Sequence, residues 1–294
     1  MSPDYHLIAD EPLTAPALVV ALDGWVDAGS AGTLAAGYLA RGGDKLVTFD
    51  PDAFIDYRAR RPNLQIQDGV LTEMTWPEIA IYRVRHDKRD VLVLTGPEPD
   101  YRWLAFRDAI VEIAERLGIV QSVCLGAIPA LVAHTKATPT LVTGRERGDL
   151  QGDLPLPGDL MQVPSSAVNL VEVYLAEKGI PSVGIWAQVP HYVEGRYLGA
   201  ALALVERVAR HLGITVSVEG MVEDVRKERI RLDAVVAGRP EAKAYLEQLE
   251  ASGPAAPAVS PAEDIAAEVE RFLREAAGGG TTASADGDPP SDGG

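Results

Sequence analysis

Short, continuous runs of Val, Ile, Leu and Ala punctuate this chain, and between them lie longer stretches whose apolar residues return every three or four positions. The runs fall at 17–22, 45–49, 79–84, 91–95, 122–125, 140–143 and 182–189, bounded by Gly, Pro or Asp. Hydrophobicity that is continuous rather than alternating marks strands covered on both faces, which predicts a mainly parallel sheet between helices. Helical periodicity is clearest over 102–117, 166–178 and 196–212. Leu117-Gly118, Lys178-Gly179 and Leu212-Gly213 close these three segments, since glycine takes the left-handed conformation that ends a helix. Two of them run straight into a Val/Ile-rich strand, so the chain reads as repeated βα units of an α/β fold.

After residue 220 the pattern changes. Residues 1–220 read as a three-layer αβα core, and 221–251, dense in charges and good helix formers, as a helical annex of one or two surface helices. Residues 252–261 carry prolines and glycines among small residues and read as a linker. Residues 262–277 predict an amphipathic helix with Ile265, Val269, Phe272 and Leu273 on one face. Residues 278–294 have almost nothing to bury and are expected to be disordered.

Composition narrows the function classes. With 294 residues, 47% of them hydrophobic, the chain can bury one large core with a small annex. A net charge of −16 repels nucleic-acid phosphates and anionic lipid, and no lysine- or arginine-rich block offsets it. No apolar run approaches the roughly 18 residues that span a bilayer, and the first residues lack a leader pattern, so a cytoplasmic protein is expected, with neither nucleic acid nor membrane as partner. The single cysteine, Cys124, sits in an apolar run and reads as a small hydrophobe.

The unusual residues cluster behind the strands. Asp23-Gly24-Trp25-Val26-Asp27-Ala28-Gly29-Ser30 follows the first run, 50–58 the second, 96–103 another, 126–130 another and 190–194 the last of the five. If those strands are parallel, the five segments emerge at the carboxyl edge of one sheet, where open α/β proteins place their ligand crevice. The candidate crevice residues are Asp23, Trp25, Asp27, Asp56, Arg58, Glu98, Asp100, Trp103, His134 and His191.

Each has a chemical reading and a plainer one. Asp23 and Asp27 could act as an acid/base pair or ligate a cation, yet Asp27 also stands where a carboxylate caps a helix start. Asp56 and Arg58, with Arg60 and Arg61, could bind an anion, or form a local ion-pair network with Asp50 and Asp52. Glu98 and Asp100 suit a helix entry fixed by Pro99, with the Trp103 indole packed beside it. His134 and His191 would need a neighbouring hydroxyl and an orienting acid to act in catalysis. Gly29-Ser30-Ala31-Gly32 misses the nucleophile elbow, and Pro164-Ser165-Ser166 reads as a helix cap. There is no P-loop and no dinucleotide-binding glycine pattern. No catalytic residue, cofactor or metal ligand is assigned.

Taken together, Asp23-Gly24-Trp25-Val26-Asp27-Ala28-Gly29, Phe54-Ile55-Asp56-Tyr57-Arg58, Gly96-Pro97-Glu98-Pro99, Gly126-Ala127-Ile128-Pro129 and Trp186-Ala187-Gln188-Val189-Pro190-His191-Tyr192 resemble the actinobacterial branch of the proteasome assembly chaperone 2 family. That resemblance implies a three-layer αβα fold similar to nucleoside phosphorylases and hydrolases. It also implies a homo-oligomer such as a trimer, and proteasome subunits as partners. Relatives that dock through a hydrophobic residue, Tyr and a final residue differ from this chain, which ends Pro290-Ser291-Asp292-Gly293-Gly294. Two function classes stand side by side: a partner-binding scaffold or assembly chaperone, and a small-molecule hydrolase or phosphorylase-like enzyme working in the crevice, because one fold hosts both.

Overall fold

A computed structural model describes residues 4–9, 11–86, 88–145 and 162–251. The expected linker 252–261, helix 262–277 and tail 278–294 lie outside the described residues. In chain order the strands are β1 (Tyr5–Leu7), β2 (Ala17–Asp23), β3 (Asp44–Phe49), β4 (Asn63–Gln67), β5 (Val70–Thr75), β6 (Ala80–His86), β7 (Arg89–Pro97), β8 (Gln121–Ala130), β9 (Thr140–Gly144) and β10 (Ser182–Pro190). The helices are α1 (Ala31–Leu39), α2 (Pro51–Phe54), α3 (Trp103–Arg116), α4 (Ala167–Glu177), α5 (Leu198–Leu212), α6 (Glu219–Ala237) and α7 (Pro240–Ala251).

Among the described residues, eight strands form one sheet in the order β1-β3-β6-β7-β2-β8-β10-β9. β2 explains the layering. Leu18, Val20 and Leu22 face one way, into the core that Phe106, Ile110 and Ile113 of α3 and Val168, Val171 and Leu175 of α4 complete. Ala17, Val19 and Ala21 face the other way, against Ala31, Ala35 and Ala36 of α1 and Ala200, Leu204 and Val208 of α5. Both faces are covered, so the run is apolar throughout, and three layers result.

The centre of the sheet, β7-β2-β8-β10, is parallel. β3 is antiparallel to β6, and β6 to β7, so β3 points the same way as the central four. The runs at 79–84 and 140–143 differ from the expectation. β6 joins β7 by a tight connection that pairs His86 with Arg89, and so short a turn can only return the chain antiparallel. β9 closes the far edge antiparallel to β10. Burial on both faces reveals that a strand is interior and carries no information about its direction.

The charged stretch after residue 220 forms two helices, α6 and α7, within the same compact unit as the sheet. No helix among the described residues is long and apolar enough to cross a membrane.

Candidate functional site

Five strands that share one direction, β2, β3, β7, β8 and β10, deliver their carboxyl ends to one edge of the sheet. The segments that follow β2, β3, β7 and β10 are connections or short helices there. The fourth segment, 126–130, is instead the end of β8 itself, paired residue for residue with β10 as far as Ala130 and Pro190.

Arg60 organises the first group of polar residues. Its guanidinium lies 3.6 Å from the Asp23 carboxylate and 3.5 Å from that of Asp100, and it donates to the Asp23 carbonyl oxygen at 3.3 Å. Asp100 in turn accepts the Asp56 backbone N–H at 2.8 Å. Asp56 accepts the Arg58 backbone N–H at 2.8 Å, and that bond, with one from the Tyr101 hydroxyl, holds its carboxyl below the usual range. Asp23, Asp56 and Asp100 are thus joined into one ion-paired floor. Arg58 stands exposed beside it.

Glu98 and Asp27 serve backbone amides. Glu98 accepts the N–H of Ala167, the first residue of α4, at 2.6 Å, and that of Trp25 at 3.4 Å. Gly24 lies against the Glu98 side chain, leaving no room for a Cβ. Ser166 and Asn169 complete the α4 start with a reciprocal capping box. Asp27, buried under α1, accepts the N–H of Gly32 at 2.6 Å and of Thr33 at 3.3 Å, and the Thr33 hydroxyl. Burial pushes its carboxyl up and these bonds pull it down, with burial prevailing. With its oxygens spent on α1, Asp27 caps the helix, whereas Ser30, at φ 50°, makes no side-chain cap. The Trp103 indole donates to the Pro99 carbonyl at 2.7 Å.

The two histidines meet the annex. The His134 ring is wholly buried between Tyr192, 2.8 Å from Nδ1, and Asp233 of α6, 3.1 Å from Nε2. The Tyr192 hydroxyl accepts the His134 backbone N–H at 2.8 Å and shares a second hydrogen bond with Nδ1, while Nε2 faces the Asp233 carboxylate. His191 lies 3.3 Å from the Tyr245 hydroxyl of α7. A hydroxyl, an imidazole and a carboxylate in line resemble a proton relay. Burial, however, pushes the Tyr192 phenol up to about 12, and the ring has no exposed surface to meet a substrate. The arrangement therefore fastens α6 to the connection between β8 and β9. Glu228 of α6 strengthens the attachment by accepting the N–H groups of Leu198 and Gly199 at the start of α5. A cavity of about 240 Å³ lies between α5, α6 and the segment 134–138, with His134, Tyr197, Leu202, Leu232 and Glu228 in its wall. Among the described residues no group of three His, Cys, Asp or Glu is placed to hold a metal ion.

Large apolar side chains stand exposed along the same edge: Trp25, 59% exposed, Tyr101, Leu104 and Leu131. Sequence reasoning missed a further such feature, the β4–β5 hairpin between α2 and β6. Asp68 and Gly69 turn it with φ of 52° and 80°, and Asp-Gly at two positive-φ positions is the strongest local signal for a two-residue hairpin. The Trp76 ring meets Tyr57 at 5.0 Å at its base.

A family model described as the PAC2 family matches residues 21–236. A Mycobacterium tuberculosis protein of unknown function is 32% identical, with a TM-score of 0.80 over 86% of this chain and 91% of its own. A protein of unknown function from Corynebacterium glutamicum is 31% identical, with a TM-score of 0.78 over 85% of this chain and 96% of its own. A Mycobacterium tuberculosis proteasome-assembly chaperone homologue is 29% identical, with a TM-score of 0.71 over 78% of this chain and 99% of its own. No curated protein matches the sequence.

Proposed function

The chain belongs to the PAC2 family, and from that premise we propose that it is a cytoplasmic assembly chaperone, a scaffold that holds protein partners at the carboxyl edge of its sheet. One observation carries this reading. The polar groups of the crevice are spent on helix caps and ion pairs, while Trp25, Tyr101, Leu104 and Leu131 stand exposed around them. A catalytic crevice needs the reverse, with polar groups free to act and apolar walls that exclude water. Exposed aromatic and aliphatic side chains are the anchors that a protein interface buries.

The partner class follows from the relative that is 29% identical and described as a proteasome-assembly chaperone homologue. Proteasome subunits are therefore the partners to test first. The chain is also its own partner in this reading, as a homo-oligomer such as a trimer. The experiment is co-elution of the full chain with purified proteasome α subunits on size exclusion, using wild type and Trp25→Ala. Co-elution that the variant loses supports the reading. A wild-type chain that never co-elutes removes the proteasome partner.

A further inference from the structure

We propose that the cavity between α5, α6 and the segment 134–138 binds a small carboxylate with an apolar body, an aryl or alkyl acid of the size of 3-phenylpropionate. Protein interiors hold few voids larger than a water molecule. Here the facing helices leave about 240 Å³ between them, and Leu202, Ala203, Val225 and Leu232 stand half-buried around it. An apolar cavity of about 150 Å³ accepts a benzene ring, so this one has room for a ring and a short arm.

The polar end of the cavity selects the head group. Tyr197, buried at the start of α5, shares a hydrogen bond with the Thr138 side chain and lies within reach of the Arg229 charge. Lys136 stands in the same wall, on the segment that carries Thr138. Elsewhere Lys45, Arg83, Arg85, Arg102 and Arg226 each hold a carboxylate at 2.6–2.9 Å. Among the described residues Lys136 and Arg229 hold none. A guanidinium, an ammonium and two hydroxyls around one opening offer a carboxylate the charge-assisted hydrogen bonds it gives up on leaving water.

The acidic side chains of the wall set the charge and direction of the ligand. Glu228 gives its oxygens to the N–H groups of Leu198 and Gly199, and Arg231 is a further counter-charge to it. Its charge is still felt at Tyr197, so a dianion such as phosphate meets repulsion there and a monoanion meets less. Glu206 lies just over two turns beyond Leu198 on α5, about 12 Å along the axis. The carboxylate therefore belongs at the Tyr197 end, with the apolar body running toward Leu202 and Val225. His134 is committed to Tyr192 and Asp233 and serves only as wall.

Calorimetric titration of the full chain compares 3-phenylpropionate with 3-phenylpropanol, which lacks the charge, and with acetate, which lacks the body. The expected result is saturable binding of 3-phenylpropionate, at least ten-fold weaker binding of both controls, and a loss of about ten-fold in Lys136→Gln/Arg229→Gln. Both side chains are exposed, so the variant keeps the wild-type fold. Hydrogen exchange on the wild-type chain locates the site without any variant. In α6 only Met221 is buried, so a ligand wedged beneath this helix should slow its amides several-fold. No binding at millimolar 3-phenylpropionate, equal binding of 3-phenylpropanol, equal binding by the variant, or protection that leaves α6 unchanged overturns the proposal. Nothing in this site depends on proteasome binding, so failure of that reading leaves it standing.

Discussion

Gly126 on β8 and Trp186 on β10 are direct partners across a parallel pair, and the indole lies over the glycine so closely that a Cβ there would stand only 2.3–2.4 Å from Cζ3 and Cε3 of its six-membered ring. The ring is held by its Nε1–H, which donates to the Thr143 hydroxyl at 2.8 Å, and it cannot slide away freely. Gly126→Ala is therefore expected to cost about 1–3 kcal/mol, the usual range for overpacking a filled core. A urea midpoint lowered with an unchanged slope would register it.

The same network continues to Glu172, whose carboxylate accepts the Thr143 hydroxyl at 2.8 Å. Burial raises its carboxyl above the ordinary glutamate value of 4.5, against the pull of its hydrogen bonds. The folded chain holds a proton that the unfolded chain releases, so this contribution to stability is full below pH 4.5 and is lost as pH rises through the folded value. Glu172→Gln should gain stability relative to wild type as pH goes from 4 to 7. A difference between the two unfolding free energies that stays flat over that range would contradict the assignment.

Glu98 is expected to act through its oxygens rather than its charge chemistry. Glu98→Gln retains an acceptor for the α4 start, whereas Glu98→Ala leaves the Ala167 amide without one. The alanine variant should lose about 1–2 kcal/mol and the glutamine variant markedly less, as measured by urea unfolding.

The parts legible in sequence were those fixed locally. Val- and Leu-rich runs marked the strands, Leu117-Gly118 and its two counterparts the helix ends, and a carboxylate standing at a helix start the cap that Asp27 makes on α1. Strand direction at β6 and β9 depends on which neighbours they meet, and no local pattern encodes that. The β4–β5 hairpin escaped because its apolar residues alternate too briefly to read as a buried strand, although Asp68-Gly69 announced the turn. The partners of His134 were hidden by separation: Asp233 lies 99 residues further along the chain.

That long-range pair makes its own prediction. His134→Ala and Asp233→Ala should each loosen α6, seen as faster hydrogen exchange of its amides, and a double-mutant cycle should return a coupling of about 0.5–1 kcal/mol, the low end for contacting residues. The low end applies because the Asp233 side chain is half exposed and water screens it. A coupling of zero would mean that the two side chains stabilise α6 separately.

Trp25 and Arg60 should separate binding from folding at the crevice. Arg60 ties Asp23 to Asp100, but at 3.5–3.6 Å and with Asp23 largely exposed, so Arg60→Ala should cost about 1 kcal/mol or less. Trp25 is more than half exposed, and Trp25→Ala should move stability by no more than about 0.5 kcal/mol. Their effects on a protein partner should reverse that order. An exposed indole at an interface centre commonly carries 2 kcal/mol or more of binding, roughly a thirty-fold loss of affinity when truncated. An arginine already engaged with two carboxylates of its own chain has less to offer a partner. Calorimetric titration of a proteasome subunit against both variants reads the order directly. If Arg60→Ala weakens binding more than Trp25→Ala does, the ion-paired floor rather than the exposed rim is the contact.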